Sequence, residues 1–209
     1  MMRYDGVGAA RSPRPRGRKQ CFSTTAPYVS FPAIFDVRSW PMTAVVIRDA
    51  GGGDATAVAW MNEAEVQWTS PMDIARLATL AGLASYYRVA EVDGQIAGFV
   101  LAMHGGCGYE NENFEWFEER YSRFLYIDRV VVAKQYTGQK VGSTLYQDVF
   151  FAAGGLGLER VVCEYNWLPR NVPSERFHAR LGFKEVGQRT VASATKVLSM
   201  QYRAITLAV

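Results

Sequence analysis

The segment from Phe124 to Phe183 contains the residue types whose spacing could support chemistry. An apolar strand, YIDRVVV, runs into the turn AKQYTGQKVGSTLYQ, which opens directly into a helix. Glycines let a backbone approach a ligand closely, and the first N–H groups of a helix are unpaired donors at its positive end. A phosphate or pyrophosphate therefore fits such a turn. Alone the pattern is weak, because a glycine turn before a helix is more often only a connection.

Three other motif families are excluded by the sequence. It has no GxxxxGK[ST] run, which a phosphate-binding P-loop requires. Gly51-Gly52-Gly53 follows the first predicted strand, but Thr56 stands where a dinucleotide-binding turn has its third glycine. No serine lies in a GxSxG elbow, so the usual nucleophile of an α/β-hydrolase is absent as well.

The order of several motifs is more specific than any one of them. The stretch VVVAKQYTGQKVGSTLY is followed by VVCEYN and then by NVPSERFHARLGF. This order resembles the acetyl-CoA-binding core of the GNAT superfamily of N-acetyltransferases. In that family a turn with the pattern (Q/R)-x-x-G-x-(G/A) holds the pyrophosphate of coenzyme A. The next strand splays away, so that the pantetheine arm inserts in the gap. A later helix with the pattern N-x-x-(A/S)-x-x-(L/F)-(Y/H)-x-x-x-G-F closes the site.

The resemblance implies a set of contacts to acetyl-CoA. Backbone amides around Gln139–Ser143 would bind the pyrophosphate, and Val131–Val132 would pair with the pantetheine like an added strand. Asn166 and Asn171 would hydrogen-bond pantetheine amides, or only cap turns. The full predicted set is Val130, Val131, Val132, Thr137, Gly138, Gln139, Lys140, Val141, Gly142, Ser143, Asn166, Asn171, Ser174, Phe177 and His178.

The first motif departs from the family pattern at two positions. Thr137 stands where Gln or Arg is usual, and Lys140 where the first glycine is usual. The loss of this glycine costs little if Lys140 has ordinary helical angles, because mainly positions with positive φ demand glycine. Its ammonium would then add charge beside the phosphates.

His178 is the candidate acid. It occupies the helix position where many members of the family carry a tyrosine that protonates the departing thiolate. A thiol titrates at about 8.5, so a histidine with a pKa near 7 would be a matched donor. His178 could instead only contact the cofactor, or be a solvent-facing or internally bonded helix residue.

Two carboxylates are candidate general bases. Asp128 lies in the strand before the glycine turn and Glu164 in the strand after the following helix, and both strands flank the predicted acyl site. Either could deprotonate an ammonium acceptor, directly or through water. For each, an ion pair with a neighbour such as Arg129 or Arg160 is an equal alternative. Cys163 is interpreted as a small buried residue.

An acidic aromatic segment between two strands could line the acceptor side. A cationic amine would suit it, although a solvated acidic helix face is the more common explanation. Its carboxylates are Glu110, Glu112, Glu115, Glu118 and Glu119, and its rings are Tyr109, Phe114, Trp116 and Phe117.

Composition restricts the class of protein. The 209 residues are 49% hydrophobic, and the net charge of +3 is too small to indicate nucleic acid. Three scattered cysteines and two histidines predict neither a disulfide framework nor a metal site, and they favour a reducing compartment. With no apolar run near the roughly 20 residues of a membrane span, and no signal peptide, the predicted location is the cytoplasm, without a membrane partner.

The first 41 residues differ from the rest. Their Gly/Pro/Arg-rich stretch GAARSPRPRGRKQ has no apolar period. We expect a disordered basic leader, or an upstream extension to a chain that starts at Met42. A transit peptide or a nucleic-acid-binding arm is the alternative, although no nucleic-acid partner is expected.

Residues 42–209 predict one α/β domain with a mixed, mostly antiparallel sheet and helices on both faces. The order of elements is β-αα-ββ-β-α-β-α-β-β, with Asp93-Gly94 as a hairpin turn. Asp54 is expected to cap the first helix, and a capping box at Ser70 with Pro71 at the first position is expected to open the second.

These features together predict an acetyl-CoA-dependent N-acetyltransferase. Acetyl would pass directly to a primary amine of a small molecule, an amino acid or a peptide in a ternary complex, without a metal. The alternative is a non-catalytic acyl-CoA-binding or regulatory protein with the same fold. A homodimer is compatible with the sequence.

Overall fold

The computed structural model describes residues 44–191 and 195–206. The predicted leader, residues 1–41, lies outside this part of the chain. The strands are β1 (Val46–Asp49), β2 (Tyr86–Val92), β3 (Gln95–His104), β4 (Phe124–Val132), β5 (Arg160–Leu168), β6 (Lys184–Thr190) and β7 (Val197–Ala204). The helices are α1 (Ala55–Ala64), α2 (Ile74–Leu83), α3 (Glu112–Glu118), α4 (Val141–Gly155) and α5 (Val172–Arg180).

The seven strands form one sheet in the order β1-β2-β3-β4-β5-β7-β6. Among the strand pairs of the described residues, only β4–β5 is parallel. One face packs on α1, α2 and α3, with Leu80 and Phe114 fully buried. The other packs on α4 and α5 through Leu145 and Val149. The predicted mixed, mostly antiparallel sheet with helices on both faces is confirmed.

The two parallel strands stay together for only a short distance. Their register is Phe124↔Arg160, Leu125↔Val161 and Tyr126↔Val162, and it ends there. Each strand then follows its other neighbour, β4 along β3 and β5 along β7. The sheet therefore opens between β4 and β5 on the side where the two strands end.

Strand β4 carries a bulge beside this opening. Its register with β3 shifts between Leu101↔Arg129 and Ala102↔Ile127, which leaves Asp128 as the extra residue. A bulge leaves its extra residue unpaired and bends the strand. The irregularity thus lies on the strand that borders the gap.

Arg129, next to the bulge, ties β4 to the segment between α1 and α2. Its side chain is 3% exposed and pairs with Asp128 at 2.6 Å. It also donates to Asn62 Oδ1 at 3.0 Å and to Ser70 Oγ at 3.1 Å. This buried guanidinium holds the α1–α2 segment against the bulge.

The first helix starts after Asp54 as predicted, but the predicted cap bond at Asp54 and the predicted start of the second helix were wrong. Asp54 makes no side-chain cap to α1, because its carboxylate binds Arg48 and the Gly51 N–H instead. The second helix begins three residues after Pro71, and its cap is Asp73, which accepts from the Arg76 N–H. Ser70 binds Arg129 rather than opening a helix. None of the described helices is long and apolar enough to cross a membrane.

Arg129→Met should destabilise the fold by about 3 kcal/mol or more, because it leaves Asp128 buried without its cation. Urea unfolding measures this. Arg120→Met is the matched control: Arg120 is exposed and pairs with Glu119, so its loss should cost at most about 1 kcal/mol. A loss of the same small size in both variants would contradict the role given to Arg129.

Candidate active site in the gap between two strands

A cavity of about 340 Å³ lies where β4 and β5 separate. Val162 belongs to the core under α1–α3 and Cys163 to the core under α4, so successive β5 residues face opposite sides of the sheet. The cavity reaches both sides. Of the predicted site residues, its lining contains Asp128, Val130, Glu164, Asn166, Asn171, Ser174 and His178.

Glu164 has one oxygen satisfied and one without a partner. Oε1 accepts from the Tyr126 hydroxyl at 2.9 Å and from Asn113 Nδ2 at 2.8 Å. Oε2 is buried and has no hydrogen-bond partner among the described residues. Burial raises the pKa of Glu164 to about 7, and the bond from Tyr126 opposes this shift. A carboxylate that titrates near neutral pH, with one oxygen unused, suits proton transfer.

Asp128, the other candidate base, is fully engaged. Oδ1 accepts from the Tyr109 hydroxyl at 2.7 Å, and Oδ2 accepts from Arg129 Nε at 2.6 Å. Its side chain is 4% exposed. The ion pair with Arg129, which was one of the two alternatives for this residue, is therefore present. The geometry separates the two carboxylates and favours Glu164 as the base.

His178 is buried and bonded at both ring nitrogens. Nδ1 lies 2.8 Å from the Ser174 carbonyl oxygen, so this nitrogen carries the proton and donates. Nε2 then accepts from the Tyr146 hydroxyl at 2.7 Å. Burial lowers the pKa of His178 to about 4. The expected pKa near 7 is wrong, because this imidazole is neutral at neutral pH.

The two asparagines differ in what they bind. Asn171 is the N-cap of α5, where Oδ1 accepts from the Ser174 N–H at 3.1 Å. Asn166 is 6% exposed, and its Nδ2 has no partner among the described residues. A buried amide without a partner costs free energy unless a ligand satisfies it. Asn166 is therefore the stronger candidate for contact with a bound molecule.

The predicted phosphate turn lies at the end of β4, outside the cavity. Gly138 has φ +83°, and α4 begins after Lys140 without a side-chain cap. The Thr144 N–H is the first to bond back, to the Lys140 carbonyl. The N–H groups of Val141, Gly142 and Ser143 are consequently in the first turn of the helix, where an anion is favoured.

Comparison with known proteins gives the family. The sequence model described as the Acetyltransferase (GNAT) family matches residues 55–183, more than half of the chain. The chain belongs to the GNAT acetyltransferase family. No curated protein matches the sequence.

Solved structures of other acetyltransferases share the GNAT fold. Ard1 from Thermoplasma volcanium is 16% identical, with a TM-score of 0.64 over 78% of this chain and 99% of the other. The ribosomal-protein-S18-alanine N-acetyltransferase from Escherichia coli is 14% identical, with a TM-score of 0.60 over 79% and 97%. YncA from Salmonella typhimurium, solved with its cofactor acetyl-CoA, is 18% identical, with a TM-score of 0.60 over 80% and 97%.

The GNAT turn differs from the expectation at Lys140. Its φ is +65°, in the left-handed region, so the condition under which the lost glycine would cost little is not met. The backbone at this position is left-handed, which explains why the family has glycine here. Lys140 adopts this conformation at a cost of about 1 kcal/mol. Gly142 is constrained by packing, because an added Cβ would lie 3.3 Å from the Phe177 ring. Phe177 thus packs α5 against α4 and does not line the cavity.

The acidic segment contributes unevenly to the acceptor side. Glu110, Glu112 and Glu115 line a second cavity of about 420 Å³, which shares Asn111, Asn113 and Val191 with the first. Glu118 accepts from the Gly106 N–H, and Glu119 pairs with Arg120. A part of the segment therefore faces the site.

Several residues of the site were not predicted. Tyr126 lies on β4 two residues before Asp128, and its hydroxyl reaches Glu164. Tyr146 lies one helical turn after Gly142 and faces α5, a position that helical spacing could have indicated. Asn113 lies between acidic and aromatic residues in the sequence of α3, and no motif there indicated its role. Among the described residues, no three of His, Cys, Asp and Glu are grouped as metal ligands would be.

Lys140→Gly should be about 1 kcal/mol more stable than Lys140→Ala, because only glycine relieves the left-handed strain. The two variants lack the same ammonium, so chemical denaturation of the pair isolates the backbone effect. Equal stability of the two would contradict a left-handed conformation at this position.

Proposed function

We propose that this acetyltransferase transfers acetyl from acetyl-CoA to a primary amine of a small molecule, by direct attack within a ternary complex. The observation that carries the proposal is the cavity between β4 and β5, into which Glu164 presents an oxygen that lacks a partner. The amine would enter from the face of the sheet that carries α1, α2 and α3. Transfer would take place in the gap.

The residues present fit acetyl-CoA. The phosphates would bind to the N–H groups of Val141, Gly142 and Ser143 at the start of α4, with the Lys140 ammonium close by. The Gln139 N–H, which belongs to the predicted set, donates to the Tyr136 carbonyl instead. The pantetheine would lie along Val130–Val132, where β4 no longer pairs with β5, and would satisfy the Asn166 amide. Bound acetyl-CoA supplies the thioester. Thr137, Asn171 and Ser174 stay predicted contacts.

Glu164 is the proposed base. An amine that arrives as an ammonium must lose a proton before it can attack a carbonyl carbon. With a pKa of about 7, Glu164 is about half ionised in neutral solution, and its ionised form is basic enough to accept that proton. The amine nitrogen, once neutral, forms the new bond to the acetyl carbon. As the bond to sulfur breaks, the nitrogen gives up its second proton, which restores the group that protonates the thiolate, and the products are the amide and the free thiol. The bulge at Asp128 would leave backbone N–H groups of β4 free to stabilise the carbonyl oxygen.

The proton for the departing thiolate is assigned to the Tyr146–His178 pair. A neutral imidazole whose Nδ1–H is held by Ser174 is a poor donor. The Tyr146 hydroxyl is the proposed donor of the pair, and Nε2 of His178 orients it. Burial raises the pKa of this hydroxyl well above its usual range, so we expect it to give up its proton only as the thiolate charge develops beside it. The predicted role of His178 therefore becomes that of a positioning residue for Tyr146. Burial raises the pKa of the Cys163 thiol, so a covalent acyl-cysteine route is not favoured.

The acceptor is proposed to be cationic, since Glu110 and Glu115 line the adjoining cavity, whereas Glu112 in the same lining pairs with Arg189. A non-catalytic acyl-CoA-binding protein is the competing function. It would bind acetyl-CoA without releasing thiol when amines are added. A homodimer and a cytoplasmic location remain predictions.

Glu164→Gln should lower kcat/KM for the amine by roughly 10²- to 10⁴-fold, because the amide cannot accept the proton. In the wild type kcat/KM should rise with pH through about 7, as Glu164 becomes ionised. Thiol release between pH 5.5 and 9 measures both effects. Glu119→Gln is the control, because it removes the same single negative charge from an exposed side chain. An unaltered rate and pH profile in Glu164→Gln would remove Glu164 as the base.

Tyr146→Phe should lower turnover by roughly 10²-fold or more, while acetyl-CoA affinity stays nearly constant, since the hydroxyl acts in the transition state. Steady-state kinetics measures the turnover, and calorimetry measures the affinity for acetyl-CoA. Tyr87→Phe is the control, because its buried hydroxyl lies outside the cavity lining. Weaker binding with turnover kept at saturation would instead make the Tyr146–His178 pair a cofactor contact.

A further inference from the structure

A chain of hydrogen bonds connects Glu164 to a strand on the far edge of the sheet. Asn113 on α3 donates from Nδ2 to Glu164 Oε1 at 2.8 Å. Arg189 on β6 donates from Nη1 to Asn113 Oδ1 at 2.6 Å. The guanidinium also pairs with Glu112, and the Arg189 side chain is 19% exposed. The three elements meet only in the folded chain.

The chain fixes which way the Asn113 amide points. Its oxygen faces a cation and its NH₂ group faces a carboxylate. The opposite orientation would place the amide oxygen against Glu164 and the NH₂ group against Arg189, which loses two charge-assisted hydrogen bonds. Asn113 can therefore donate reliably to Glu164 only while a donor at position 189 holds its oxygen.

The same chain leaves the other oxygen of Glu164 for chemistry. Oε1 already accepts from Tyr126 and Asn113, so the carboxylate is held with Oε2 unpaired. Hydrogen bonds to an ionised carboxylate stabilise it and act against burial, which favours the neutral acid.

We propose that Asn113 and Arg189 are positioning residues, which orient Glu164 and stabilise its ionised form against the effect of burial. The inference rests on the proposed role of Glu164 as the base. Arg189 acts through the orientation of Asn113, and its positive charge makes the smaller contribution.

Other groups also surround Glu164 and must be held constant in a test. The carboxylate faces Tyr126 and Asp128 from β4, Cys163 from its own strand, Tyr146 from α4 and Arg189 from β6, while Lys196 lines the same cavity. None of them except Arg189 bonds to Asn113 in the described part of the chain.

Arg189→Gln and Arg189→Met form a matched pair. Both remove the charge, and only glutamine keeps a donor for the Asn113 oxygen. The direct readout is the titration of Glu164 in full-length protein with ¹³C-labelled glutamate, where its signal is the one missing from Glu164→Gln. Asn113→Leu removes the donor itself. Arg120→Met is the control for the loss of one positive charge.

The titration midpoint of Glu164 should rise by roughly one pH unit in Asn113→Leu, which is the size expected from one hydrogen bond to a charged group. Arg189→Met should shift it in the same direction, and Arg189→Gln by less than half as much. Arg120→Met should leave it in place. Equal shifts in the two Arg189 variants, or no shift in either, would overturn the proposal.

The pH dependence of kcat/KM separates this proposal from the role of Glu164 as base. If the midpoint of the rate profile moves with the Glu164 titration in each variant, the role of Glu164 as base and the positioning role of Asn113 and Arg189 are both supported. If the titration moves and the rate profile does not, Asn113 and Arg189 position Glu164 as proposed, but another group is the base.

Discussion

Strands β4 and β5 share only three residue pairs, and the proposed chemistry depends on their separation beyond the third. A parallel pair that continued to the ends of both strands would join their backbone groups and close the sheet. Because β4 continues along β3 and β5 along β7, the gap has an intact sheet on either side. The candidate site thus lies where the β4–β5 pairing stops, and the pairing of β4 with β3 and of β5 with β7 keeps the two strands apart.

The polar groups around the gap divide into those that build it and those that are left unused. Asp128 and Arg129 pair with one another, and Arg129 also binds the α1–α2 segment. These interactions therefore stabilise the walls of the gap. Glu164 Oε2 and Asn166 Nδ2 are buried without partners in the described chain. Unsatisfied buried groups are expensive, and they persist where a ligand completes them. Asp128 and Glu164 thus differ in whether their oxygens are already bonded, although both are carboxylates.

Most of the fold could be predicted from the sequence, since period-two and helical patterns, the Asp93-Gly94 turn and the motif order depend on local spacing. The cap bond at Asp54 and the helix start at Ser70 were wrong for one reason. Each side chain binds an arginine outside its helix, Arg48 for Asp54 and Arg129 for Ser70, and local capping rules do not consider such partners. The pKa of His178 and the left-handed Lys140 likewise depend on packing. Arg189 and Asn113 lie 76 residues apart, and no sequence pattern connects them.

The central claim is that an amine attacks the thioester within the gap. Release of coenzyme A thiol from acetyl-CoA, followed with a panel of mono- and polycationic primary amines at pH 8, tests it most directly. The account predicts release that depends on the amine and yields one acetylated amine for each thiol. Binding of acetyl-CoA without amine-dependent release for any acceptor in the panel, including peptides, would contradict it and would favour the non-catalytic alternative.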